Sequence, residues 1–268
     1  MSEEQPKPRA VPIWVPFAAL VAAYLLVSLV VAALAGVIAA SDASFDADHP
    51  PIGFTLALTA FQDLVFVFSA YIAVQLALGS APREQFGLRR VARPGRALGW
   101  AALVFVAFLF IQWALTELFG NPPDQELVTD VKHEDTTAVL VGYALLICVL
   151  APFVEELFFR GFMFTALARR LGPGWGALIV GFVFGIGHAP APAISLVALG
   201  AFGVGLCLLY WRTKSIIPGM ALHALNNSIT FGAIKDLDPA LYTGVIVLSI
   251  GAVVACASAL SVRPAVAA

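Results

Sequence analysis

The stretch FVEELFFRGF, Phe153 to Phe162, sets two carboxylates and a guanidinium into a run that is otherwise apolar. Each of Glu155, Glu156 and Arg160 is costly to bring into hydrocarbon, so partners or chemistry must account for them. On a helix Glu156 and Arg160 stand four residues apart with the acid first, the favourable order for an ion pair. Glu155 projects about 100° from its neighbour and has no cation on its own helix. A carboxylate left out of the ion pairing is what a general base requires. Pro152 cannot donate to the carbonyl of Cys148, so the helix is expected to kink just before the acids.

Outward from this stretch the chain stays apolar. Of its 268 residues 60% are hydrophobic and 12% charged, against roughly 25% charged in soluble domains, and the mean hydropathy is +0.92. These values exclude an ordinary soluble domain and predict an all-α, polytopic transmembrane helical bundle, to which the polar residues inside its spans add the expectation of a polar intramembrane cavity. At about 20 apolar residues per crossing, eight spans are expected: 13–40, 53–78, 97–119, 138–166, 175–189, 193–211, 216–234 and 240–262. The net charge of −2 gives no sign of nucleic-acid binding. Cys148, Cys207 and Cys256 lie in apolar segments without CxxC spacing, and read as small hydrophobes.

The connector after the second span carries Arg83, Arg89, Arg90, Arg93 and Arg96 against Glu84; the one after the third carries Asp124, Glu126, Asp130, Glu134 and Asp135. The arginines mark the cytoplasmic side and also suit anionic lipid headgroups. Arg169, Arg170, Arg212, Lys214 and Arg263 fall on that side if every span crosses, and Asp42, Asp46 and Asp48 fall opposite. Both termini are then cytoplasmic, in a membrane read as a bacterial plasma membrane. The first apolar run exceeds a signal-peptide core and is read as a retained helix. The organisation is a cytoplasmic tail at 1–12, N-terminal helices and loops at 13–137, a catalytic core at 138–235, and a last helix with its tail at 236–268.

Two further clusters match the first in depth. In FVFGIGHAP, His188 stands one helical turn beyond Phe184; in HALNN, His223 and Asn227 share a face, while Asn226 points elsewhere and reads as an interhelical hydrogen bonder. Glu155 lies fourteen residues in from Arg169, His188 thirteen from Trp175, and His223 and Asn227 nine and thirteen from Lys214. All fall roughly 13–21 Å below the inner boundary. Independent structural residues need not agree in depth, whereas members of one site must.

A carboxylate and an imidazole can deprotonate one water, and a second imidazole with a carboxamide can donate to the oxyanion formed when that water attacks a carbonyl. Glu155 is then the general base, His188 its partner on the water or the leaving amine, His223 and Asn227 the oxyanion donors, and Glu156 with Arg160 the brace. A zinc ion on glutamate and two histidines remains an open alternative. No HExxH, GxSxG or GxGD occurs, which sets aside zincin, rhomboid-like serine and aspartyl designs.

EELFFR fits EExxxR, FGIGH fits FxxxH and HALNN fits HxxxN. In these three ordered motifs, over roughly residues 138–235, the chain resembles the CAAX-protease and bacteriocin-processing family of intramembrane proteases, also called the Abi or type II CAAX prenyl endopeptidase family. The resemblance implies a multi-helix core around a water-accessible cavity, with functional positions at Glu155, Glu156, Arg160, His188, His223 and Asn227. It also implies a membrane-associated protein or peptide substrate, prenylated or bacteriocin-related. Family members are often labelled metalloproteases, yet a metal-free, glutamate-activated water is also proposed for them. A proton-coupled transporter using the same polar layer and a non-catalytic immunity or scaffold protein are the rival readings. Asp63, beside Gln62 in the second span, reads as a buried hydrogen-bonded residue, and Glu117 lies near the outer end of the third.

Overall fold

A computed structural model describes residues 10–42, 45–46, 50–123, 126–189 and 191–262. Most of the expected tail, together with Asp48, Asp124 and Arg263, lies outside them. The regular elements of the described chain are all helices, and an isolated parallel bridge joins Arg89 and Val262. Helices α1 (Val15–Ser41), α2 (Ile52–Leu78) and α3 (Pro94–Phe119) come first. A short α4 (Glu126–His133) precedes a long composite rod made of α5 (Thr137–Leu145), a π-helical turn Leu146–Leu150, α6 (Ala151–Glu155), a second π-helical stretch Glu156–Phe164, and α7 (Thr165–Ile186). Helices α8 (Ala193–Thr213), α9 (Ile217–Ile234) and α10 (Pro239–Leu260) complete the bundle.

The helix ends follow local chemistry. Proline occupies the first turn of α1, α3, α9 and α10, where a missing N–H costs nothing. Asp238 caps α10 by accepting from the N–H groups of Ala240 and Leu241. Gly172, at φ 81° and ψ 163° and followed by Pro173, bends the composite rod within α7. Helices thus correspond to all eight expected spans, the fourth and fifth being the two arms of one bent rod. Among the described residues six stretches are long and apolar enough to cross a membrane, with residues 137–186 counted as one; α9 falls short because it carries His223, Asn226 and Asn227. The sequence reading missed α4.

The rod is the axis of the molecule. Phe158, Phe162, Met163 and Phe164 are fully buried along it, while α1, α3 and α10 turn side chains such as Leu25, Leu118 and Leu248 outward, as lipid-facing helices do. Helices α7 and α8 approach closely through small residues. A β-carbon on Gly181 would stand 2.6 Å from the Gly200 carbonyl oxygen, and one on Gly185 would collide with the Leu196 carbonyl. This contact carries the end of α7, with Phe184 and His188, against α8.

Candidate active site

The first π-helical turn begins the construction of the site. Pro152 has no N–H for the carbonyls one turn back, and the chain widens into the π-helical turn Leu146–Leu150 just before it. The Ile147 carbonyl accepts from Asn227 Nδ2 of α9 at 2.9 Å. A side chain from another helix thus supplies the donor that proline lacks. Asn226 Nδ2 donates to Asn227 Oδ1 at 3.3 Å. The interhelical bond expected of Asn226 is therefore made by Asn227, because that face of α9 meets the rod.

Glu156 and Arg160 form the expected pair, with Arg160 Nη1 2.8 Å from Glu156 Oε1 and both side chains wholly buried. Arg160 Nη2 also donates to the Gly203 carbonyl at 3.3 Å, and the guanidinium lies 4.3 Å from the centre of the Phe184 ring. The charge is thereby shared among a carboxylate, a carbonyl and a π face, as a buried cation requires. Glu156 in turn rests on the α9 backbone. A β-carbon at Gly219 would meet its Oε2 at 2.8 Å, so glycine there permits the close approach.

His223 joins the two glutamates. Its Nδ1 lies 3.3 Å from Glu156 Oε1 and its Nε2 lies 3.8 Å from Glu155 Oε2. The cation that Glu155 lacks on its own helix is thus an imidazole from α9. Glu155 is 20% exposed, against none for Glu156, and its Oε2 has no hydrogen-bond partner in the protein. One carboxylate is fully buried and its neighbour reaches the cavity, while the Oε2 atom of each is buried without a hydrogen-bond partner.

His188 stands in the turn just past α7, not within the helix. Its Nδ1 donates to the Phe184 carbonyl at 2.8 Å, which leaves Nε2 as the free nitrogen of a neutral ring. Among the described residues Glu155 pairs directly with His223 and not with His188, whose expected place on the water or the leaving amine needs no direct pair. The Phe184 ring stands between the imidazoles, 4.8 Å from His188 and 5.9 Å from His223 by ring centres. Glu155, His188, His223 and Asn227 line a single cavity of about 440 Å³. Glu156 and Arg160 lie behind its wall.

Residues 137–229 match the family model described as type II CAAX prenyl endopeptidase Rce1-like. The likeness to the Rce1-like family lies in this segment. The chain is also 27% identical over 183 residues to the Bacillus subtilis protein named "Putative membrane peptidase YdiL", covering 66% of this chain and 71% of that one. It is 27% identical over 232 residues to the B. subtilis "Uncharacterized protein YyaK", covering 79% and 73%. No solved structure matches. The chain is an integral membrane protein, and what this segment resembles is a protease.

The cavity of the Rce1-like segment extends beyond it. Helices α1 and α2 bring Tyr24, Gln62 and Asp63 to its lining, and α3 brings Gln112. Tyr24 donates to the Gly187 carbonyl at 3.4 Å, beside His188. Asp63 is 3% exposed, and its Oδ2 lacks a hydrogen-bond partner, so the bonded role expected of it is not what the structure holds. Sequence reasoning passed over Tyr24, Gln112 and Tyr143 as lining residues, although each is a polar group within an apolar helix. Gly219 was missed as well; its signal is its place one helical turn before His223.

Proposed function

We propose that the chain is an intramembrane endopeptidase that hydrolyses a peptide bond of a membrane-associated substrate, with Glu155 as the base that activates water. The observation that carries this reading is the meeting of Glu155 and His223, from separate helices, at 3.8 Å on a cavity shared with His188 and Asn227. The Glu155 carboxylate takes the proton from a cavity water. His223, acting as an imidazolium, gives Nδ1–H to Glu156 and Nε2–H to the oxyanion that forms on the substrate carbonyl, and Asn227 keeps one amide hydrogen for the same atom. His188, oriented through Phe184, offers Nε2 to carry the proton to the leaving amine.

The donors a zinc ion would need are Glu155 Oε2 and the Nε2 atoms of the two histidines. Among the described residues no three His, Cys, Asp or Glu side chains gather closely enough to hold a metal ion, so no step is routed through one. The substrate class proposed is a prenylated CAAX-type or bacteriocin-related peptide. The setting proposed is a bacterial plasma membrane with both termini cytoplasmic, as the arginines of the second connector argue.

The test is cleavage of a tagged membrane substrate by wild-type and Glu155→Gln protein at matched expression. A loss of about 10²–10⁴-fold, the usual contribution of a general base, is expected; wild-type cleavage by the variant removes Glu155 from the mechanism. Solute uptake by reconstituted vesicles without proteolysis supports a transporter instead. Activity that survives a zinc chelator supports the route through Glu155 alone, whereas loss restored by added zinc replaces it.

A further inference from the structure

At the arginine-rich end of the bundle, away from the active-site cavity, the start of α3 meets the end of α8 around a recess of about 410 Å³. Four cations line it, Arg93, Arg96, Arg212 and Lys214, together with Trp100 and Trp211, and no carboxylate does. Glu84 lines a neighbouring recess, which it shares with Arg89, Arg169 and Lys214.

Three features make the recess more than a charged surface. The Arg212 guanidinium lies 4.7 Å from the centre of the Trp100 ring and Lys214 Nζ lies 3.2 Å from that of Trp211, so aromatic faces hold two of the cations in place. Helix α3 also opens here without a side-chain cap. Pro94 has no N–H and Ala97 N donates to the Arg93 carbonyl, which leaves the N–H groups of Gly95 and Arg96 outside the helical ladder at the positive end of a 26-residue helix. Below the recess the flanking helices expose Leu98, Leu103 and Leu208, at 73%, 57% and 41%.

We propose that this recess is a specific site for an anionic phospholipid, whose phosphate sits among the four cations and whose acyl chains lie along the exposed leucines of α3 and α8. The cations and helix terminus account for a phosphate. The apolar track and the two tryptophans select a lipid over a free phosphate, since a soluble anion would gain nothing from them. The site is distinct from the diffuse attraction of a basic connector because only two of that connector's five arginines line it, and α8 completes it.

The test is native mass spectrometry of the full chain released from nanodiscs holding equal phosphatidylglycerol and phosphatidylcholine, with inorganic phosphate as a competitor. Wild-type protein is expected to retain phosphatidylglycerol preferentially. Arg93→Gln with Arg96→Gln lowers that retention by about thirtyfold, while Arg83→Gln with Arg90→Gln, which removes the same charge from the same connector outside the recess, leaves it unchanged. If the pocket double variant fails to insert, Arg212→Gln, which spares the connector, is expected to lower retention too. Equal losses from both double variants, or none from either, overturn the site. Displacement of the lipid by millimolar inorganic phosphate overturns the lipid assignment in favour of a soluble anion.

Discussion

Glu155 and Glu156 are adjacent, yet the fold treats them in opposite ways. Glu156 is fully buried against Arg160, His223 and the bare backbone at Gly219, while Glu155 meets only His223 Nε2 and the cavity. Replacing Glu156 by Gln leaves the Arg160 charge without its carboxylate inside the bundle, a loss of about 3–5 kcal/mol when one partner of a buried pair is removed. Thermal denaturation in detergent is expected to show that variant markedly destabilised. Glu156→Leu with Arg160→Met should recover much of the stability and none of the cleavage, because His223 then loses the acceptor for Nδ1. Gly219→Ala separates position from stability. Its methyl would stand 2.8 Å from Glu156 Oε2 and push that carboxylate aside, and a misplacement of about 1 Å at a site costs about 10²-fold in rate. Cleavage assayed beside a melting curve should show the rate falling far more than the melting temperature.

At the scale of the helix, the first π-helical turn couples Pro152 to Asn227 through the Ile147 carbonyl. Asn227→Ala leaves that carbonyl without its donor, at a cost of about 1 kcal/mol for an interhelical hydrogen bond in a membrane. Pro152→Ala restores a backbone N–H to the same turn, so the double variant should be more stable than Asn227→Ala alone; denaturation of all four proteins closes the cycle. This coupling also marks where the sequence stopped being legible. Span positions could be read because length and hydropathy fix them, and three polar clusters could be assigned to one depth by counting residues. A helix apolar on every side carries no periodic signal for π-helical turns, and α4 is too short and polar to register as a span. Depth does not fix rotation. Nothing in the spacing of HALNN says which asparagine faces the rod, or that His223 and not His188 reaches Glu155.

For the whole molecule, the charge of the connectors gives the orientation its physical basis. The turn Arg83–Phe86, the recess at the start of α3 and the end of α8 gather the arginines at one end. The opposite end holds α4, where Lys235 Nζ donates to the carbonyls of Lys132 and Glu134 at 3.3 and 2.7 Å. Moving five arginines across a bilayer is far costlier than moving the acidic connector, so the arginine end is expected to face the cytoplasm. In a background with Cys148, Cys207 and Cys256 replaced, single cysteines at Ser80 and Asp135 report the two ends to a membrane-impermeant maleimide. In intact cells the position-135 thiol should label and the position-80 thiol should label only after permeabilisation. The reverse pattern would invert the chain. The arginine recess would then face outward and meet the lipids of the other leaflet.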